Sequence, residues 1–102
     1  MGSRLELHEE LVEVLGSRNV YFQPPESVKL QYPCIVYRQG SGKAFRANDR
    51  LYNHVKSYEL TYVTTDPDTD VPFKLLSKFQ LIDFNRFYVA DNLNHYSLTL
   101  YF

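Results

Sequence analysis

Two segments of this chain alternate large apolar side chains with polar ones, and this alternation constrains the fold more than any other sequence feature. In residues 57–64, Tyr58, Leu60 and Tyr62 fall at every second position. Residues 95–102 repeat the pattern with Tyr96, Leu98, Leu100 and Phe102. Because successive side chains of a strand point to opposite faces, each segment predicts a β-strand that buries one face and leaves the other half exposed.

A further β-prone run, residues 84–90, is separated from the last of these strands by a polar stretch, residues 91–94. Such a stretch is typical of the turn that joins two antiparallel strands. We therefore expect the chain to end in a β-hairpin with one apolar face.

The first segment of the chain carries the signals of an amphipathic helix. Ser3 and Glu6 have the S-x-x-E spacing of a capping box, and apolar side chains then recur at intervals of three and four up to Leu15. Gly16 can adopt the left-handed conformation that ends a helix. We predict a helix over residues 3–15. Its outer face is acidic, with four glutamates: Glu6, Glu9, Glu10 and Glu13.

The remaining elements are two strands and a second helix. Residues 20–23 are β-prone, and because of Pro24-Pro25 the strand they form must either end there or lie on a sheet edge. Residues 32–38 are a mostly apolar run, which predicts a central strand covered on both faces. A short helix is predicted where apolar side chains return at helical spacing, at Pro72, Leu75, Leu76 and Phe79.

The resulting order is helix, strand, strand, strand, helix, strand, strand, which predicts an α+β fold. We expect a mostly antiparallel sheet of four to five strands, two helices packed on one face, and a long hairpin arm between the second and third strands. The 102 residues are 44% apolar, enough for one core, so we interpret residues 1–102 as a single domain. Residues 1–3 are read as a cloning remnant, because Gly2-Ser3 is typical of one.

Composition excludes several classes of protein. Cys34 is the only cysteine, so the chain cannot form an internal disulfide. No apolar run approaches the roughly 20 residues of a membrane span, and we expect no membrane partner. The net charge of −1 argues against nucleic acid as the main partner, since that role needs clustered positive charge.

The motifs that could carry chemistry are incomplete. Asp66-x-Asp68-x-Asp70 resembles the start of a calcium loop, but Val71 stands where the loop needs glycine and Ser77 where it needs glutamate. We therefore interpret it as a capped turn. The Gly40-Ser41-Gly42-Lys43 run lacks the full spacing of a phosphate loop. We expect no metal and no cofactor.

Cys34 with His54 or His95 is the one candidate for nucleophilic catalysis. An activated thiol needs an electropositive, partly exposed setting, whereas Cys34 lies between Pro33 and Ile35 in an apolar strand. We interpret Cys34 as a core thiol and predict that the protein is not an enzyme.

The positive charge is concentrated in one region. Residues 38–56 hold five basic residues and Asp49 as their only acid, a net charge of +4. This region can be a solvated loop, a surface that meets the acidic helix of a neighbouring copy in a head-to-tail ring, or a nucleic-acid contact with aromatic stacking platforms. Nine tyrosines favour a binding role, because tyrosine is a common interface anchor. The candidate partner-binding residues are Lys43, Phe45, Arg46, Arg50 and Tyr52.

The whole pattern resembles the small tail-terminator or tail-completion proteins of long-tailed bacteriophages and prophages. The resemblance rests on the acidic N-terminal helix, the segments 20–27 and 32–37, a polar arm, the strand 58–64, the Leu75-Leu76 helix and the closing strand pair. It spans nearly the whole chain and includes no catalytic signature.

The resemblance implies a virion protein, made in the bacterial cytoplasm, that forms a ring of six copies on the tail tube. Its expected partners are itself, the tail-tube protein and the head-tail connector protein, and the ring would stop tube polymerisation. The arm at residues 40–53 would project towards the tube or a neighbouring copy. The alternative is another head-tail connector or adaptor, which contacts DNA or the connector through the basic arm.

Overall fold

The computed structural model describes residues 3–40 and 56–102, and their elements follow the predicted order. The two helices are α1 (Arg4–Leu15) and α2 (Val71–Lys78). The five strands are β1 (Val20–Phe22), β2 (Cys34–Gln39), β3 (Ser57–Thr64), β4 (Ile82–Ala90) and β5 (Leu93–Tyr101). The predicted hairpin arm lies largely outside the described residues.

The predicted start and end of α1 are confirmed. The Glu6 N–H donates to Ser3 Oγ at 3.1 Å, and the Ser3 N–H donates to Glu6 Oε1 at 2.8 Å, which completes the capping box. Gly16 follows the helix with a φ of 83°, in the left-handed region. The inner side of α1 places Leu7 and Leu11, both fully buried, against the sheet.

The five strands form one sheet in the order β1-β2-β3-β5-β4. The pairs β2–β3, β3–β5 and β5–β4 are antiparallel, as expected, whereas β1 pairs with β2 in parallel. Pro24-Pro25 ends β1 and does not lead into a tight hairpin, because these prolines supply no backbone donors. The chain instead crosses back through residues 23–33 before β2 begins. The sheet edges are β1 and β4.

Both helices pack on one face of this sheet, with α1 over β1 and β2, and α2 against α1 and β4. The register aligns Tyr37, Leu60 and Leu98 across the three central strands. Fully burying a leucine side chain contributes about 1.5–3 kcal/mol to folding, so the burial of this layer stabilises the sheet. The buried cluster comprises Leu7, Leu11, Val20, Ile35, Tyr37, Tyr58, Leu60, Tyr62, Val71, Leu75, Phe79, Leu98 and Leu100.

The opposite face of the sheet, here called the open face, is buried around Cys34 and Val63 and exposed around Arg38 and Glu59. In β2, Cys34 is fully buried on this face while Arg38 is exposed, so the prediction of a strand covered on both faces holds only for its first half. In β3, Glu59 is exposed but Ser57 and Val63 are buried. The alternation in β3 therefore predicted its inner face correctly and overestimated the exposure of its outer face.

The β4–β5 hairpin is confirmed, with a tighter turn than predicted. Asp91 and Asn92 both have positive φ, 54° and 64°, which is the conformation of a two-residue hairpin turn. Leu93 and Asn94 therefore belong to β5. An irregularity in the pairing at Asn85 adds one residue to β4 relative to β5.

Candidate interaction surfaces

The predicted partner-binding residues Lys43, Phe45, Arg46, Arg50 and Tyr52 all lie outside the described residues, as does His54. Gly40 and Lys56 are the described residues on either side of that segment, and their backbone hydrogen bonds fix where the segment joins the sheet. The Gly40 N–H donates to the Ser57 carbonyl at 2.8 Å, and Lys56 exchanges two backbone hydrogen bonds with Phe102. The basic segment is therefore connected to the end of the sheet where β2 ends and β3 begins.

A groove of about 570 Å³ lies on the open face and was not predicted from sequence. It crosses four strands, because alternate residues of β2, β3, β4 and β5 point to this side. We call it the open-face groove. Its main lining side chains are Val36, Arg38, Glu59, Thr61, Arg86 and Tyr88.

The two arginines of the open-face groove are held differently. Arg38 donates through Nε and Nη2 to Glu59 Oε1, at 3.1 and 2.8 Å. The Arg86 guanidinium lies over the Tyr88 ring, 4.6 Å from its centroid, and Tyr88 in turn stacks on His95. Among the described residues Arg86 has no ion pair, so its charge is positioned by stacking and remains available.

An exposed acidic turn, residues 66–70, lies at the other end of the sheet, where β3 leads into α2. Its shape is fixed by side-chain hydrogen bonds. The Asp68 N–H donates to Asp66 Oδ1 at 2.9 Å, and Thr69 Oγ1 lies 2.9 Å from the Tyr62 hydroxyl. The interpretation of this motif as a turn is confirmed, but Asp70, which immediately precedes α2, makes no side-chain capping hydrogen bond to the helix. In the described part of the chain, no group of three metal-ligating side chains comes together.

Exposed apolar side chains occur at both edges of the sheet. At the β4 edge, Phe84, Phe87 and Val89 are 45%, 49% and 60% exposed, and we call them the β4 patch. Phe84 and Phe87 would face opposite sides of a regular strand, but the extra residue at Asn85 brings both to the helix-bearing side. Sequence reasoning missed this patch, because a three-residue spacing places two side chains on opposite faces of a regular strand.

Three further exposed apolar residues lie in the elements next to β1, the other edge strand, and we call them the β1 side. Leu5 lies in α1, and Val28 and Tyr32 lie in the connection from β1 to β2. Large apolar side chains outside a core are characteristic of interaction surfaces when they are grouped.

The predicted acidic face of α1 is present, but most of its carboxylates are engaged within the chain. Glu6 closes the capping box. Glu9 pairs with Arg18 at 2.7 Å, and Glu13 pairs with Lys78 at 3.1 Å. Such exposed pairs contribute only about 0–1 kcal/mol to stability, yet they reduce the charge that α1 offers to a partner.

Cys34 is a buried thiol, as predicted. Burial raises the pKa of Cys34 to about 11, which keeps it protonated at neutral pH. His95, the candidate histidine partner that lies in the described residues, has its Nδ1 3.0 Å from the Leu93 carbonyl oxygen. The arrangement in the described residues thus gives Cys34 no feature of an activated nucleophile.

A buried hydroxyl joins α1 to the sheet. Tyr37 is fully buried, and its hydroxyl lies 2.8 Å from His8 Nδ1 and 3.3 Å from Arg4 Nη1. The guanidinium can only donate, so the assignment that satisfies both contacts has Tyr37 accepting from Arg4 and donating to neutral His8. Burial lowers the pKa of His8, with Arg4 adding to the shift, and raises the pKa of Tyr37.

Neither described helix has the length and apolar character needed to span a membrane. Comparisons of the chain with protein-family models, curated proteins and solved structures gave no match.

Proposed function

We propose that this chain is a structural bacteriophage protein that forms a ring of six copies on the end of the tail tube. In this role it stops tube polymerisation and joins the tail to the head connector. Its partners are other copies of itself, the tail-tube protein and the head-tail connector protein, and it acts in the virion.

The observation that carries the proposal is the placement of exposed apolar side chains at both edges of one sheet. A ring of identical chains is built from two different surfaces, each meeting the other on the next copy. The β4 patch and the β1 side lie at opposite edges of the sheet and are chemically suited to such contacts.

Charge supports the same arrangement. The basic segment joins one end of the sheet, and the acidic turn lies at the other. Charges of opposite sign on different parts of one chain favour contacts between unlike surfaces of neighbouring copies, which is what a ring requires.

The direct test adds the purified protein to polymerising tail-tube protein and measures tube length by electron microscopy. We expect shorter tubes of uniform length, each with a ring at one end. Tubes of unchanged length with bare ends would contradict the proposal. A heat-unfolded sample of the same chain serves as the control.

A second candidate function, a connector or adaptor that contacts DNA, is favoured by the net charge of +4 in residues 38–56. This function requires DNA binding that weakens steeply with salt. It also requires that the double variant Arg46→Glu, Arg50→Glu no longer binds DNA. Salt-independent or absent DNA binding excludes this candidate and leaves the ring proposal intact.

A further inference from the structure

We infer that the open-face groove receives the acidic turn of a second copy of this chain, with Arg86 of one copy pairing with Asp68 of the next. The inference rests on the self-association proposed above and names the polar contact that orients it.

The groove presents a positioned positive charge. Arg86 is exposed and held over the Tyr88 ring, and it makes no ion pair among the described residues; Glu59, the acidic residue of the same groove, pairs with Arg38. Arg38 already pairs with Glu59, which leaves Arg86 as the groove cation that is open to a new partner. The groove volume, about 570 Å³, lies within the usual range for a bound ligand of roughly 300–1,000 Å³.

The acidic turn presents a matching negative charge in a fixed shape. Its backbone is tied through Asp66 Oδ1 and Thr69 Oγ1, and both contacts are made within the chain. The Asp68 carboxylate is exposed and has no hydrogen bond or ion pair in residues 3–40 and 56–102. A ligand that is already ordered loses little conformational entropy on binding, so this turn is a favourable occupant.

Charge complementarity selects the turn over the acidic helix. Three of the four glutamates of α1 are occupied by the helix cap, by Arg18 or by Lys78. The Asp68 carboxylate, carried by a turn that hydrogen bonds hold in shape, can pair with the guanidinium of Arg86, and Glu10, the fourth glutamate of α1, is the alternative occupant that the control variant below tests. Because the groove and the turn are different surfaces, the contact is head-to-tail and is compatible with a ring.

The test uses charge reversal in the full chain, with self-association measured by sedimentation velocity over a concentration series. Arg86→Glu and Asp68→Lys should each weaken association by about tenfold or more, because each places like charges together. An equimolar mixture of the two variants should associate like the wild type, since copies can alternate so that every contact pairs opposite charges. Circular dichroism checks that each variant is folded. If a charge-reversal variant fails to fold, the neutral substitution Arg86→Gln or Asp68→Asn is used at that position instead.

A matched control is Glu10→Lys, which reverses an acidic residue of α1. It should leave association unchanged. Loss of association in Glu10→Lys with retention in Asp68→Lys would make the helix the occupant and overturn the inference.

Wild-type association in both single variants also overturns the inference while leaving the ring proposal standing. Loss in both without recovery in the mixture shows that the two residues do not meet. A wild-type chain that stays monomeric throughout excludes this contact, whereas the tail-tube function is judged separately from tube length.

Discussion

Tyr37 shows how one polar group is accommodated in the core of this protein. Its ring packs among buried apolar side chains, and its hydroxyl is satisfied by Arg4 and His8 of α1. An unsatisfied hydroxyl at this position would cost about 1–3 kcal/mol, so the pair also fixes how α1 sits on the sheet. When His8 is protonated, Nδ1 can no longer accept from the buried Tyr37 hydroxyl, and a second positive charge lies close to Arg4.

This predicts a pH dependence of stability. The pKa of His8 is lowered in the folded chain from an ordinary value of 6.5, so the unfolded chain binds the proton first as pH falls. Stability is therefore retained above about pH 6.5 and is lost as pH drops towards the folded pKa. Urea unfolding at several pH values should show a smaller loss in His8→Gln than in the wild type. An equal or larger loss in the variant would contradict the assignment.

The buried Cys34 thiol gives a second prediction at the residue scale. A pKa of about 11 against an ordinary 9.0 leaves roughly one-hundredth of the usual thiolate at neutral pH. Iodoacetamide should therefore modify the folded chain at least about a hundredfold more slowly than the urea-unfolded chain. Equal rates, followed by mass spectrometry, would show that the thiol is accessible and reactive.

At the scale of single elements, local sequence signals decided most boundaries. The capping box and Gly16 set the two ends of α1, and the positive φ values of Asp91 and Asn92 close the β4–β5 turn. Features that depend on non-local pairing were not predictable. Neither the parallel placement of β1 nor the extra residue at Asn85 leaves a periodic pattern in the sequence.

Gly16 allows the contribution of a helix end to be measured. No atom lies within 4 Å of a Cβ added there, so a substitution meets no steric clash and acts through the backbone alone. At a φ of 83°, Gly16→Ala should lower the free energy of unfolding by about 1–2 kcal/mol. Gly16→Asn should cost less, because asparagine tolerates this conformation. The explanation fails if the two variants are equally stable.

The β4 patch can be tested as an element of the interface. Phe87→Ser removes a half-exposed ring and should weaken self-association about fivefold to tenfold, since the lost burial is worth about 1 kcal/mol. Phe73→Ser is the control, because Phe73 is a 69% exposed ring on α2 outside the patch. Equal effects of the two substitutions would mean that the β4 patch is not an interface.

For the whole molecule, the sequence predicted the α+β fold and the order of its elements, because strand alternation and helical spacing are local. It did not predict the open-face groove, which forms only when side chains of four strands are brought side by side. The candidate site residues predicted from charge, such as Arg46 and Arg50, lie outside the described residues and stay predictions. Arg86 and Asp68, which carry the structural inference, are identified by their exposure, by the stacking of Arg86 on Tyr88 and by their lack of an ion pair among the described residues, and composition encodes none of these.

Self-association of identical chains through two different surfaces is the property on which the other proposals depend. Native mass spectrometry of the purified chain over a rising concentration series measures it directly. We predict one closed species of six copies that grows at the expense of the monomer. A monomer that persists at every concentration, or an open-ended ladder without a closed species, would contradict this account.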